Sequence, residues 1–395
     1  MKPDIRSEDQ LKQWLALPQA AVFQKLDLRP HSSEVEAAAL QGCAFIGCQM
    51  TPALVAAAAK AECLILPPIA PSRETPFDPY TVSLYSPMEL YEGYDPNDPA
   101  TKDAYLDRRI YMTYMDVHKQ LIPTSADVML LRRMHDATVD DALDPIVEKL
   151  GNKIVAIMGG HDRGRADTIY KDVAYLALNI TQSGYFVATG GGPGLMEAAN
   201  LGAYCAGFAD PKSTLDSALA ELAKGEFNPL EPAWDLWLKE GFMAWQHMGK
   251  PADPEKSRSL GIPTWFYGHE PPNLFATDVA KYFENSIREE GLLAVALAGI
   301  IYAEGNGGTV QEIFQDACQN YYRTYGKVKS PMVLLGTDYW NPDEMVYGKP
   351  TTDKRKKIYP ILKKLATEKD FFDYIHITDS VDDAVDFIVK HPPVS

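Results

Sequence analysis

The feature that most constrains this chain is a regular alternation of short apolar runs and longer helical patterns between residues 153 and 390. The apolar runs predict strands at residues 153–158, 185–189, 263–267, 299–303, 331–335 and 374–377. The intervening segments predict helices at about residues 167–183, 195–206, 275–297, 310–322, 352–367 and 381–390. Strands and helices that alternate in this way form a parallel sheet covered on both faces. We therefore expect a Rossmann-like, doubly wound α/β domain over residues 151–395.

The rest of the chain predicts three further parts. Residues 1–100 have short apolar runs around an alanine-rich helical stretch and predict a small N-terminal α/β module. Residues 101–150 have a helical pattern and would form a connecting segment. A helical insertion is expected at about residues 208–261, because this stretch is too long for an ordinary crossover. Its tryptophans are expected to be buried anchors rather than ligand contacts: Trp234, Trp237 and Trp245.

Charge limits the class of partner. The chain has 38 Lys and Arg residues against 54 Asp and Glu residues, a net charge of −16. This excess opposes an extended nucleic-acid surface, which needs many cations to neutralise phosphates. A small phosphate ligand remains possible, because backbone N–H groups at a helix start bind anions without a basic surface. We expect a small nucleotide partner and no nucleic acid.

Location follows from the apolar and cysteine patterns. No apolar run reaches the roughly 18 residues that span a bilayer, and the start MKPDIRSEDQ lacks the apolar stretch of a signal peptide. The five cysteines are scattered and form none of the close pairs typical of metal or redox motifs. We expect a cytoplasmic protein with reduced cysteines and no membrane contact.

The first motif that predicts chemistry is TGGGPGLMEAAN, residues 189–200, at the junction of a predicted strand and helix. Glycines let backbone N–H groups approach an anion closely, and a helix N-terminus carries about half a positive charge. The alternative is a plain tight turn. The motif is not the dinucleotide fingerprint, because Leu195 stands where that fingerprint has its third glycine.

The second motif is AEGNGGTVQEIFQDA, residues 303–317, again at a strand end that opens a helix. Here Thr309 is predicted to bind phosphate, and Glu312 would point into the same crevice one turn later. Alternatively, Thr309 and Glu312 form a capping box that only satisfies the helix start. Both motifs lie at the carboxyl edge of the predicted sheet, where ligands of doubly wound folds bind.

These two motifs resemble those of the LOG family of nucleotide phosphoribohydrolases, in their long bacterial form. GGGPGLMEA resembles the family pattern GGGxxGLMxA, and EGNGGTVQE resembles PGGxGTxxE, with Glu304 and Asn306 as departures. The resemblance covers about residues 153–389. It implies hydrolysis of the N-glycosidic bond of a nucleoside 5′-monophosphate, releasing free base and ribose 5-phosphate. It also implies a homo-oligomer, a dimer or larger.

The resemblance implies Glu312 as the catalytic carboxylate and Arg288 as a second catalytic residue, although Arg288 could instead form a surface ion pair with Glu284. It implies no metal and no cofactor. The predicted phosphate- and nucleotide-binding residues are Gly159, Gly160, Gly190, Gly191, Gly192, Gly194, Leu195, Met196, Gly305, Gly307, Gly308 and Thr309.

Further substrate contacts are predicted where other strands reach the same edge: His161 and Arg163, and Tyr267 and His269. Arg165 and Glu270 are further candidates. Glu304 would bring negative charge near the phosphate loop. For this reason we also consider a non-catalytic nucleotide sensor, in which the N-terminal module responds to binding.

Overall fold

The computed structural model describes residues 2–115, 120–224, 233–266, 271–346 and 353–394; the side chain of Trp234 is also outside the described part. The chain forms two compact units. The N-terminal unit comprises Met1–Leu84 and Pro123–Leu143, and the C-terminal unit comprises Tyr85–Ile122 and Asp144–Ser395.

The N-terminal unit has a small sheet of four parallel strands in the order β1-β2-β3-β4. The strands are β1 (Asp4–Ile5), β2 (Val22–Gln24), β3 (Ala44–Ile46) and β4 (Leu64–Leu66). A helix precedes each of the last three strands: α1 (Glu8–Ala16), α2 (Ser32–Ala37) and α3 (Pro52–Lys60). This arrangement confirms the predicted N-terminal α/β module.

In-register aromatic packing stabilises this small sheet. Phe23 of β2 lies opposite Phe45 of β3, and their rings stack at a centroid distance of 4.9 Å. Trp14 of α1 packs edge-on against Phe23. All three side chains are buried, so these rings supply much of the apolar core of the unit.

Three helices separate the two sheets along the chain: α4 (Pro87–Leu90), α5 (Leu106–Tyr114) and α6 (Ala126–Leu150). The division between the units falls inside α6, after Leu143 and next to Pro145. Proline has no backbone N–H and interrupts the hydrogen bonding of a helix at this point.

The C-terminal unit contains a seven-stranded sheet in which every neighbouring pair is parallel. The strand order is β11-β10-β9-β5-β6-β7-β8. The strands are β5 (Ile154–Met158), β6 (Phe186–Thr189), β7 (Ser259–Gly261), β8 (Asp278–Val279), β9 (Gly299–Tyr302), β10 (Met332–Leu335) and β11 (Ile375–Thr378).

The helices of this unit connect successive strands or lie in the insertion. They are α7 (Thr168–Gln182), α8 (Leu195–Cys205), α9 (Pro211–Leu222), α10 (Ala233–Met248), α11 (Asn285–Val295), α12 (Gly307–Tyr322), α13 (Thr337–Trp340), α14 (Tyr359–Glu368) and α15 (Val381–Lys390). Among the described segments, no helix combines the length and the apolarity that crossing a bilayer requires.

The strand order confirms the predicted Rossmann-like, doubly wound fold. From β5 the chain adds β6, β7 and β8 on one side, then returns to place β9, β10 and β11 on the other. The direction of winding therefore changes between the neighbouring strands β5 and β9. Ligands of doubly wound sheets bind at this switch point, outside the carboxyl ends of the two strands.

Two element predictions were wrong. The strand expected at residues 263–267 lies earlier, at Ser259–Gly261, inside the range given to the insertion; only Thr264 forms an isolated bridge, with Tyr282. The helix expected at 275–297 is shorter, because β8 occupies its first part and α11 begins only at Asn285. In both places pairing with neighbouring strands outweighs the local apolar pattern.

The insertion consists of α9, a segment outside the described residues, and α10. Trp237 is 1% exposed, as predicted for a buried anchor, and packs in an aromatic cluster with Tyr91, Tyr105 and Phe242. Trp245 packs against the main core. The helical insertion is thus held to the α/β core by large aromatic side chains.

Candidate functional site

A cavity of about 210 Å³ lies at the carboxyl edge of the sheet, at the switch point between β5 and β9. The residues that form its wall come from the loop after β5, the start of α8, the middle of α11 and the start of α12. They are Gly159, Gly160, His161, Met196, Arg288, Glu289, Asn306, Gly308, Thr309 and Glu312.

The start of α12 forms one side of this cavity. The helix begins at Gly307 with Asn306 as its N-cap residue, and no side chain caps it. Thr309 therefore lies inside the helix, and the alternative of a Thr309–Glu312 capping box is wrong. The first N–H groups of any helix have no partner within the helix, and they carry partial positive charge.

The glycines at this helix start leave space rather than fill it. A Cβ atom at Gly307 or Gly308 would meet no other atom within 4 Å. At Gly305, by contrast, a Cβ would lie 2.2 Å from the hydroxyl of Thr309. Packing therefore requires glycine at position 305, whereas the open space above Gly308 is available to a ligand.

Glu312 and Arg288 meet in the cavity. Nη1 of Arg288 lies 3.8 Å from Oε1 of Glu312, and both residues are at least nine-tenths buried. The Arg288 guanidinium is oriented by backbone carbonyls, with Nε donating to Ile262 at 2.8 Å and Nη2 to Gly190 at 3.5 Å. The alternative of a surface ion pair with Glu284 is wrong, because the side chain of Arg288 turns inward.

The structure also places in the cavity a carboxylate that the sequence analysis missed. Glu289 follows Arg288 on α11, is only 6% exposed and lines the cavity. The amide of Gln311, on α12, donates to Oε2 of Glu289 at 2.6 Å. The only signal in the sequence was its position next to Arg288, in a pair of glutamates of which Glu290 is exposed.

The glycine-rich turn after β6 lies behind the cavity wall. Of the described residues of this motif, only Met196 lines the cavity. Gly191 and Gly194 have positive φ angles of 72° and 69°, which favour glycine. A Cβ at Gly194 would lie 2.5 Å from the carbonyl oxygen of Gly160. The turn thus allows the first loop and α8 to approach closely.

The other predicted residues of this turn are engaged in packing. The N–H of Leu195 donates to the carbonyl of Gly160, and a Cβ at Gly159 would collide with the Leu195 side chain. The carbonyl of Gly190 accepts from Arg288, and that of Gly192 accepts from Asn273 at 3.2 Å. The turn supports the cavity by orienting Arg288 and the loop after β5.

A buried polar network holds this turn in place. The hydroxyl of Thr189 donates to Oδ1 of Asn200 at 2.7 Å and accepts from the N–H of Gly191 at 2.9 Å. Asn273 donates to the same oxygen of Asn200 at 2.9 Å. These three polar side chains are fully buried, so each depends on its hydrogen bonds to offset lost hydration.

The loop after β5 carries charges that are paired beside the cavity. His161 lines the cavity and is exposed. Arg163 lies 2.7 Å from Glu304, so the acidic departure in the second motif has a cationic partner. Asp162 accepts hydrogen bonds from Asn306 at 3.3 Å and Lys354 at 3.1 Å. The loops after β5 and β9 are therefore joined by polar contacts.

Arg165 lies away from the cavity wall, in a buried ion pair. Its Nε and Nη2 donate to both carboxylate oxygens of Glu197, at 2.9 and 2.6 Å. Its Nη1 donates to the carbonyl of Trp237, on α10. This arginine joins the core to the insertion. Three other candidates, Tyr267, His269 and Glu270, lie outside the described residues.

One turn after Glu312, α12 carries a buried acid. Asp316 is 2% exposed and accepts a hydrogen bond from the hydroxyl of Tyr302 at 2.8 Å. Burial raises the pKa of Asp316 to about 7, and the hydrogen bond from Tyr302 acts in the opposite direction. Asp316 is thus a buried group that titrates near neutral pH behind the cavity.

No protein-family model matches the chain, and no curated protein matches it in sequence. Two solved structures are similar to it. The molybdenum cofactor binding protein from the phototrophic bacterium Rippkaea orientalis is 14% identical, over 60% of this chain and 95% of that protein, with a TM-score of 0.32. The protein TM1055 is 15% identical, over 60% of this chain and 99% of that protein, with a TM-score of 0.33. Similarity at this level carries no information on activity, so function must be argued from the cavity.

Proposed function

We propose that this protein is a nucleoside 5′-monophosphate N-glycosidase that releases free base and ribose 5-phosphate. The observation that carries the proposal is the convergence of three features on one cavity: the start of α12, the carboxylate of Glu312 and the guanidinium of Arg288. The resemblance of the two glycine-rich motifs to the LOG family supports the same activity.

The phosphate would bind at the start of α12. There Gly308 and Thr309 line the cavity, and the space above Gly308 is open. Helix N–H groups, the Thr309 hydroxyl and the positive end of the helix dipole together suit a phosphate dianion. This mode of binding needs no basic surface and therefore fits a chain with a net charge of −16.

The sugar would then lie beside Glu312, one helical turn further along α12. When the C1′–N bond breaks, the electron pair leaves with the base and positive charge develops on the ribose ring. The Glu312 carboxylate stabilises that charge and accepts a proton from the water that attacks C1′. The departing base gains a proton, for which His161 on the cavity wall is the candidate donor.

Arg288 has two tasks in this scheme. Its charge lies 3.8 Å from Glu312 and holds the carboxylate in the cavity. Its guanidinium is itself fixed by the carbonyls of Ile262 and Gly190, so it would present N–H groups to the substrate in a defined orientation. A pre-oriented donor costs little reorganisation when the bond breaks.

The test is to incubate the purified protein with AMP, GMP, CMP, UMP and a cytokinin nucleotide, and to quantify free base and ribose 5-phosphate. We expect release from at least one nucleotide and a loss of about 100-fold or more in kcat for Glu312→Gln. Glu290→Gln, an identical change at an exposed glutamate of α11, should retain activity. No product from any nucleotide, or full activity of Glu312→Gln, contradicts the proposal.

A second candidate is a nucleotide sensor without turnover. It is favoured by the paired charges that join the loops after β5 and β9, Arg163 with Glu304 and Asp162 with Lys354. A bound phosphate would compete for the cations of these pairs and could change the loop contacts. Nucleotide binding measured by calorimetry, with no base released over the same period, would favour the sensor.

A further inference from the structure

The cavity wall has two carboxylates, and the proposed reaction uses only one. Glu312 is the carboxylate next to Arg288, whereas Glu289 is held by the neutral amide of Gln311. Both glutamates are at least nine-tenths buried, and both line the cavity. Placing a second negative charge in a cavity built for an anionic ligand is unfavourable unless that charge binds something.

We propose that Glu289 accepts hydrogen bonds from the ribose hydroxyls, and that the site therefore selects ribonucleotides over 2′-deoxyribonucleotides. This inference rests on the proposed function, since it takes the ligand to be a nucleoside 5′-monophosphate. Glu289 is a specificity-determining residue in this scheme, and Glu312 remains the catalytic carboxylate.

The chemistry of the wall restricts what Glu289 can bind. An ionised carboxylate only accepts hydrogen bonds and has about four acceptor sites, so it can bind several donors at once. It repels phosphate, which is assigned to Gly308 and Thr309 at the start of α12. The donors that accompany a 5′-phosphate within one small ligand are the sugar hydroxyls.

The positions of the side chains support the same division. Glu289 reaches the cavity from α11, and its Oε2 is anchored to Gln311, the residue that precedes Glu312 on α12. The two carboxylates are thus brought to one region of the wall by adjacent residues of α12. One carboxylate can face the reacting carbon while the other binds hydroxyls of the same ring.

Burial makes such a contact selective. A site built to hydrogen-bond a substrate hydroxyl rejects an analogue that lacks it, because the buried polar group then loses its partner. We expect the wild-type protein to bind ribose 5-phosphate about 10- to 100-fold more tightly than 2-deoxyribose 5-phosphate. Both are measured with the full-length protein by titration calorimetry, which needs no turnover.

Substitutions at position 289 test the assignment. Glu289→Ala should reduce the ribose preference to less than about 3-fold, and Glu289→Gln, which keeps the shape but loses the charge, should give an intermediate value. Glu290→Gln, the exposed neighbour, should keep the wild-type ratio. If Glu289→Ala does not fold, the ratio for Glu289→Gln decides alone.

The outcomes separate this inference from the proposed function. Ribose-selective binding that depends on Glu289, without release of base, supports the inference and contradicts the hydrolase. Hydrolysis with equal binding of the two sugar phosphates overturns the inference alone. It is also overturned if Glu312→Gln, and not Glu289→Ala, removes the preference. A protein that binds neither sugar phosphate overturns both proposals.

Discussion

The carboxylate of Glu304 lies 2.7 Å from the guanidinium of Arg163, and this pair joins the loops that follow the two central strands β9 and β5. Both side chains are partly exposed. Glu304 is the acidic residue that departs from the motif of the resembled family, and its charge is compensated by a residue of the other loop. The negative charge near the proposed phosphate site is therefore smaller than the motif by itself suggests.

Removing Arg163 should expose the proposed phosphate site to the charge of Glu304. We expect Arg163→Ala to weaken binding of ribose 5-phosphate by up to about 5-fold, because partly exposed ion pairs contribute about 1 kcal/mol or less. Calorimetry at low and high salt is the measurement, and the effect should shrink at high salt. The double variant Arg163→Ala/Glu304→Gln should recover affinity; equal weakening in the single and double variants would show that Arg163 contacts the ligand itself.

The open space above Gly308 gives a prediction with opposite effects on stability and binding. Alanine at this helical position should increase the free energy of unfolding by about 0.5–1 kcal/mol, since no atom lies within 4 Å of the added Cβ. The same methyl group should obstruct the phosphate and lower affinity for ribose 5-phosphate at least 10-fold. Gly307→Ala, at an equally open position that is not part of the cavity wall, is the control. Unchanged affinity of Gly308→Ala would mean that phosphate does not bind at this helix start.

Asp316 predicts a pH-dependent contribution to stability. Burial raises its folded-state pKa to about 7 from a model value of 3.8, so the folded protein binds the proton more tightly than the unfolded chain. The protonated acid is tolerated at low pH, and stability is lost as pH rises from about 4 through 7, by up to about 4 kcal/mol.

Asp316→Asn should lack this loss, because asparagine does not titrate and its carbonyl can still accept from Tyr302. The measurement is urea unfolding of both proteins at pH 5 and pH 8, where the stability of the variant relative to wild type should rise by a few kcal/mol. A difference that is the same at both pH values would show that Asp316 titrates normally in the folded protein.

The buried pair of Arg165 and Glu197 should affect stability much more than a partly exposed pair. Arg165→Met leaves the Glu197 carboxylate buried without its cation, which we expect to cost about 3–5 kcal/mol of unfolding free energy. Arg258→Met, which removes the partly exposed pair with Asp278, should cost about 1 kcal/mol or less. Chemical unfolding compares the two, and equal costs would argue against an uncompensated charge at Glu197.

Sequence reasoning succeeded where local pattern and chain order carry the information. The alternation of apolar runs and helical patterns predicted the doubly wound sheet, and the strand order confirms it. Glu312 and Arg288 were identified by motif resemblance, and the structure brings them to one cavity wall. The same local pattern misled at residues 275–297, where Asp278–Val279 pairs with β7 as a strand.

The sequence by itself determined the order of the elements and the positions of the glycine-rich turns, because periodicity and glycine content are local properties of the chain. Only the tertiary structure decided which charges are partners and which glycines face open space. Arg165 meets Glu197 across 32 residues, and Glu289 reaches the cavity because Gln311 of another helix holds it. Such contacts depend on distances between elements, and these distances are set by how the helices pack on the sheet.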